Sequence, residues 1–391
     1  MSTTALVWDD RLASFSFGPH HPLNPRRLEL TLSLSRALGL LDADVAVLPP
    51  RVATDEELAR VHAPEFIARV KQLSAPDANP HAGLEFGLGT DDVPVVPGMH
   101  EAAALVAGAT LRAAEAVMSG TVTRAFSIAG GLHHARRSEA AGFCIYSDLA
   151  VAIEWIKRIH GARVMYIDYD AHHGDGVQQI FYEEPDVLTV SFHESGTYLF
   201  PGTGFVDELG AGDGYGYSVN VPLDAHTEDD SFRQCFIELV PALADAFRPD
   251  VIVLQNGCDS HVLDPLTHLR CTTRLYEDLV RIVCDLADQY CNGRIVATGG
   301  GGYAIYAVVP RAWTLVWAGL RGIAVRDEIP EEWLRAVSLE SGSALPATLR
   351  DPPNGFPASP RRASITETND KTMRAVRHRA LPLLTGWGLA F

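Results

Sequence analysis

Residues 163–177 read RVMYIDYDAHHGDGV. The first half, RVMYI, is apolar without alternation, the pattern of a strand covered on both faces, as in parallel sheets packed between helices. Directly after it, Asp168, Asp170, His172, His173 and Asp175 crowd into eight positions. Burying such groups is costly unless they are paired or bind a metal. Asp168, Asp170 and His172 recur at period two, so on an extended chain they project to one side. An Asp and a His, joined by a second carboxylate from elsewhere, suit Zn²⁺ or Fe²⁺, and three protein ligands leave a position open for water.

Outward from this stretch the same grammar repeats. ALVW (5–8), VLTVSFH (187–193), VIVLQNG (251–257) and RIVATGG (294–300) read as further buried strands. Segments 100–118, 148–160, 229–247 and 273–291 read as helices between them. Near the start, Asn24-Pro25 fits a helix cap followed by proline at the first helical position, with Gly39 as the stop. Strands alternating with helices predict a parallel α/β sheet with helices on both faces. Ligands of such sheets collect beyond the carboxyl ends of the strands. The unusual residues stand there: GLHHA after FSIAG (126–130), AHHGDG after YIDYD, CDSH after VLQNG, and GGGY after IVATG. Asp259, emerging at that edge, is the best third ligand for the metal.

His133 and His134, in GGLHHA, acquire meaning from the spare carboxylates. A histidine bonded at Nδ1 to an aspartate is fixed in one tautomer with Nε2 free to take or give a proton, and Asp168 and Asp175 are available as those partners. The glycine run 299–302 carries neither GK[ST] nor GxGxxG, which makes a nucleotide site weak. Tyr303, which ends it, could donate to a carbonyl oxygen as negative charge develops.

With 49 acidic against 32 basic residues, the formal charge is -17, which argues against a nucleic-acid partner or an anionic membrane surface. The six cysteines form no CxxC pair and are expected to be reduced and buried. MSTTALVWDD has no signal-peptide pattern, and no stretch approaches a membrane span, so a cytoplasmic location is expected. Residues 74–98 form a long Pro/Gly-rich loop. From about 326 the alternation ceases, and 342–363 reads as a proline-rich linker before a short terminal segment ending in WGLAF, which could pack on the domain or on a neighbour. Two regions are therefore expected, a catalytic domain over 1–325 and an extension over 326–391.

Taken together, GGLHHARRSEAAGFCIYSDLA (130–150), YIDYDAHHGDGVQQIF (166–181), TVSFHESGTYLFPGTG (189–204), QNGCDSHVLDPL (255–266) and TGGGGY (298–303) resemble the histone deacetylase family of the arginase-deacetylase superfamily, in family order from about residue 5 to 320. The likeness is greatest to class I enzymes and bacterial acetoin-utilisation deacetylases. It implies a single, mostly parallel sheet of about eight strands. Asp170, His172 and Asp259 would bind the metal, Zn²⁺ or alternatively Fe²⁺. His133 with Asp168 and His134 with Asp175 would form two His-Asp pairs, and Tyr303 would polarise the acyl carbonyl. Gly142, Phe143 and Phe200 would wall a narrow tunnel. Asp91 would hold the substrate backbone at the rim, neighbouring Asp92 being the other choice, and Leu266 would line the floor or gate. Asp168, Asp170, His172, Ser191 and Phe192 match the family's monovalent cation site, usually K⁺. The chain departs from the family pattern at Ser147, Cys258 and Leu263, leaving every catalytic group in place.

The expected activity is metal-dependent hydrolysis of acyl-lysine in a protein or peptide. An acetylpolyamine or other small acylated amine is the alternative, disfavoured by Leu266 where polyamine enzymes carry a gatekeeping Glu. A two-metal ureohydrolase is disfavoured because His173-Gly174 interrupts the D-x-H-x-D spacing. An inactive acyl-lysine reader is disfavoured because ligands and tyrosine are all present. Oligomeric state is left open.

Overall fold

The computed structural model describes residues 4–42 and 45–385. Chain order runs β1 (Thr4–Val7), α1 (Arg26–Ala37), β2 (Ala46–Leu48), α2 (Asp55–Leu58), α3 (Pro64–Leu73), α4 (Met99–Met118), β3 (Arg124–Ser127), α5 (Asp148–His160), β4 (Val164–Asp168) and α6 (Asp175–Ile180). It continues with β5 (Val187–Glu194), β6 (Ser218–Leu223), α7 (Asp229–Phe247), β7 (Val251–Gln255), α8 (Thr273–Tyr290), β8 (Ile295–Thr298), α9 (Val309–Arg321), α10 (Glu331–Ser341) and α11 (Arg362–Leu384).

The strands form one sheet in the order β2-β1-β3-β8-β7-β4-β5-β6. Every pairing between them is parallel. The central strands β3, β4, β5, β7 and β8 are buried along their whole length. Their apolar runs lack alternation for that reason: no face meets water. In register, Asp168 lies beside Ser191 on one side and Gln255 on the other, while Ser127 lies beside Thr298. The carboxyl ends of these strands thus form one edge, and the loops that leave it share one space. Helix α1 begins one residue later than expected, at Arg26 with Pro25 at the cap position, and the Asn24 side chain accepts the Arg26 N–H at 2.9 Å. Among the described residues no helix is long and apolar enough to cross a membrane. The six cysteines are free and buried.

The region after 326 is continuous with the body of the fold. Trp333 and Val337 of α10 share a small core with Leu30 and Leu34 of α1 and Leu315 of α9. Met373, Val376 and Ala380 of α11 enter the main core, and the helix lies against α7 and β6. Asn369 of α11 is fully buried, accepting the Asp224 N–H and donating to Thr227 and Ser231. The proline-rich stretch expected as a linker is a strap. Ile329 and Leu349 donate to Ala347 and Asp327 across it, and Asp351 is buried against α8 and α9. WGLAF lies outside the described residues.

Candidate active site

The loop after β3 is shaped by one buried carboxylate. Asp148, at the first position of α5, accepts N–H bonds from Gly131 (3.0 Å) and Leu132 (2.8 Å) and the Thr110 hydroxyl (2.6 Å), while burial raises its pKa. Gly131 has φ +99°, and a Cβ there would meet the Gly299 carbonyl oxygen at 2.4 Å, so only glycine fits. The two histidines that follow stand side by side, their Nε2 atoms 3.1 Å apart. His133 Nδ1 lies 2.7 Å from Asp168, and His134 Nδ1 lies 2.7 Å from Asp175. The expected pairs are formed. Arg136 also donates to Asp175 at 3.0 Å, and Tyr166 to Asp168 at 2.5 Å.

The two imidazoles differ in acidity. Burial opposes charging His133, yet the adjacent Asp168 and Asp170 raise its pKa to about 9. Burial, reinforced by His133, lowers His134 to about 4. Side by side, the two rings are pushed in opposite directions.

Asp170, His172 and Asp259 offer ligand atoms that all lie within 4.8 Å of one another. His172 Nδ1 is 3.1 Å from Asp170 Oδ1 and 2.9 Å from Asp259 Oδ2. Although burial opposes it, these carboxylates hold the His172 pKa well above its ordinary value. Asp259 is itself pushed up to about 7 by burial and by Asp170. Two buried carboxylates focused on one nitrogen need a cation, and a donor set of one nitrogen and two carboxylates suits Zn²⁺. The carboxylates are fixed by further donors: Gln255 and Gly301 N–H to Asp170 at 2.8 and 2.7 Å, and Ala171 N–H to Asp259 at 2.8 Å.

The glycine run now has a physical reason. A Cβ on Gly301 would lie 2.1 Å from Asp259 Oδ2 and 2.8 Å from Asp170 Oδ2, so the backbone must be bare to approach the cluster. Tyr303 follows, its ring edge-on to Phe143 with centroids 5.7 Å apart. Burial, then the nearby Asp259 and Asp170, raise the phenol pKa well above its ordinary value, keeping the proton on.

A narrow slot descends between these groups, walled by Leu23, Leu132, Gly142, Phe143 and Tyr303, with His133, His134 and Asp170 also lining it. Phe143 adopts φ +68°, a conformation rare for a bulky side chain, with the His21 ring packed against it. Phe200, 46% exposed, stands edge-on to His134, which lines the slot, with ring centroids 5.0 Å apart. Leu266 is half-buried in the loop that follows Asp259. Asp91 is exposed, whereas Asp92 accepts the Gly142 N–H at 3.2 Å. Of the two candidates for the rim, Asp92 is the one tied to the slot wall, and Asp91 stands free of it toward solvent. Ser191 Oγ bonds His193 Nδ1 at 2.9 Å beside Asp168, and Phe192 is buried against Phe232 and Phe236.

Two supporting residues were not anticipated. Arg27 of α1 reaches the carbonyl oxygens of Gly300 and Gly302 at 2.8 and 3.1 Å. Asp264 accepts the Tyr303 N–H at 2.8 Å. Both act on backbone atoms; Asp264 falls within the quoted QNGCDSHVLDPL, whereas Arg27 lies outside every quoted motif.

Comparison with known proteins bears on the family and the fold. Residues 21–320 match the histone deacetylase domain. The chain is 48% identical over 373 residues to the acetoin utilization protein AcuC of Bacillus subtilis, covering 95% of this chain and 96% of that one. It is similar to the crystal structure of an HDAC homolog from Aquifex aeolicus, with TM-score 0.83 and 31% identity over 94% of this chain and 99% of that one. An HDAC homolog complexed with SAHA gives TM-score 0.84 and 31% identity over 95% and 100% of the two chains. The arginase-deacetylase fold and this breadth of identity make the chain a member of the histone deacetylase family, a deacetylase hydrolase of the acetoin-utilisation type.

Proposed function

We propose that this deacetylase hydrolyses the side-chain amide of N6-acetyl-lysine, or of another short acyl-lysine, in a protein or peptide, giving lysine and the free acid. The observation that carries it is the slot itself: a narrow passage edged by Phe143 and Tyr303, a shape that favours a linear aliphatic chain over a bulkier group, ending among paired histidines and acidic ligands. That a structural relative is complexed with SAHA supports a small-ligand site in this fold.

Asp170, His172 and Asp259 would hold Zn²⁺, and a monovalent cation, K⁺, would sit among Asp168, Asp170, His172, Ser191 and Phe192. When bound, zinc supplies Lewis acidity toward the acyl oxygen and a more acidic water. His134, neutral and donating from Nδ1 to Asp175, accepts the proton of the attacking water at Nε2. His133, cationic against Asp168, stabilises the negative charge that develops and maintains the proton supply of the pair. Tyr303 donates its phenolic hydrogen bond to the acyl oxygen as charge builds there. The departing lysine nitrogen takes a proton from the histidine pair, so the proton removed from water is balanced by the one delivered.

The test is a parallel assay of an acetyl-lysine peptide and acetylputrescine. Peptide hydrolysis that is abolished by a chelator and restored by Zn²⁺ is expected; preferential turnover of acetylputrescine would overturn the substrate assignment.

A further inference from the structure

The loop from Asp259 to His268 joins β7 to α8 and carries two groups of the site. Asp259 belongs to the acidic cluster, Asp264 holds the Tyr303 backbone, and Leu266 is bonded to the same carboxylate. The Thr267 hydroxyl closes the loop on the Asp259 carbonyl oxygen at 2.5 Å, and buried Glu194 of β5 accepts both the N–H and the ring of His268. One anchor comes from outside this neighbourhood. His261, fully buried, accepts the Leu263 N–H at Nδ1 (3.1 Å), so its proton is on Nε2, from which it donates to Asp351 of the C-terminal strap at 2.8 Å.

Asp351 is 3% exposed and is held without help from His261. Its Oδ1 accepts from Arg311 of α9 at 2.8 Å, and its Oδ2 accepts the Thr273 N–H of α8 at 2.9 Å. The strap would therefore stay docked on α8 and α9 without the histidine. What the His261 link adds is a fixed distance between that rigid carboxylate and a loop whose next turns hold Asp259 and the Tyr303 backbone. Groups that orient metal ligands from behind commonly change metal affinity by about 10–100-fold when removed.

We infer that His261, held by Asp351, is a positioning residue for the loop carrying Asp259 and Asp264, which makes the C-terminal strap part of the active-site apparatus. The inference rests on the roles proposed above for Asp259 and Tyr303.

His261→Leu keeps an apolar filler and leaves Asp351 bonded to Arg311 and Thr273. Zinc affinity of the full-length protein, measured by competition with a chromophoric chelator, is expected to fall about 10-fold. Turnover should fall similarly in kcat with KM within about twofold, and His261→Gln, which can still donate to Asp351, should recover part of both. Val337→Ala in α10 is the control: it loosens packing without touching the loop, so melting temperature drops while zinc affinity and kcat stay at wild-type values. Wild-type zinc affinity and kcat in His261→Leu, whatever its melting temperature, would overturn the inference. Should His261→Leu fail to fold, Asp351→Asn is measured in the same way, with losses in the same direction expected and unchanged values counting against. Zinc titration needs no substrate, so weakened binding in His261→Leu beside a wild type inactive on acyl-lysine would sink the substrate assignment and leave this one standing.

Discussion

His172 and His173 are neighbours in the chain, both buried, and they serve opposite kinds of network. His172 faces two carboxylates, which hold its pKa well above the usual value. His173 bonds the Thr203 hydroxyl at 2.8 Å and the Gln178 side-chain oxygen at 3.2 Å, and its ring lies on that of His193, with centroids 4.7 Å apart. His193 in turn bonds Ser191 and the Gly204 carbonyl. Burial lowers the pKa of both His173 and His193. Neither histidine content nor burial distinguishes the reactive side from the other; an excess of carboxylate does. Neutral partners satisfy a histidine and leave it inert, whereas unbalanced acids call for a metal.

The sharpest way to break this contrast is at the acidic cluster. His172→Ala or Asp259→Ala should abolish both metal retention, read by elemental analysis, and hydrolysis. Tyr303→Phe comes next, with kcat reduced about 10²–10³-fold, as for loss of an oxyanion donor, while metal content is unchanged; an unimpaired variant would remove the tyrosine from the mechanism. His173→Leu should cost about 1–3 kcal/mol of stability through its orphaned partners, seen in denaturant unfolding, and leave kcat within severalfold. If it silenced the enzyme as completely as His172→Ala, the two networks would not be separable.

The pH dependence carries the same sign. Because His173 and His193 have depressed folded values, the unfolded chain binds protons first as pH falls below about 6.5, so stability declines from there toward the folded values. His173→Leu should flatten that decline. The smallest effect is expected for another pair of neighbours at the rim: Asp92→Asn should raise KM for a peptide severalfold, and Asp91→Asn should leave it within about twofold.

Strands covered on both faces announced themselves through unbroken apolar runs, and the reactive residues through their position directly after them. β2 and β6 left no such mark. β2 has three residues, partly exposed, and β6 mixes Asn220 and Pro222 into its run at the sheet edge. Asp170, His172 and Asp259 were legible because ionisable groups after a buried strand demand an explanation. Arg27 and Asp264 were not, since a bond to a backbone oxygen or amide imposes no spacing on sequence. The choice between Asp91 and Asp92 hung on a tertiary contact with Gly142. The strap read as a tether because Pro and Gly dominate it, although its one buried carboxylate meets residues far earlier in the chain.

Helix α11 has a consequence for how the chain is made. The last strand of the sheet ends at Thr298, but the helix lying against edge strand β6 spans Arg362–Leu384. A ribosome adding roughly 5–20 residues per second leaves that edge without its cover for on the order of ten seconds. Unprotected edges invite pairing with other chains, so the nascent protein passes through a window of aggregation risk that closes when its final helix docks.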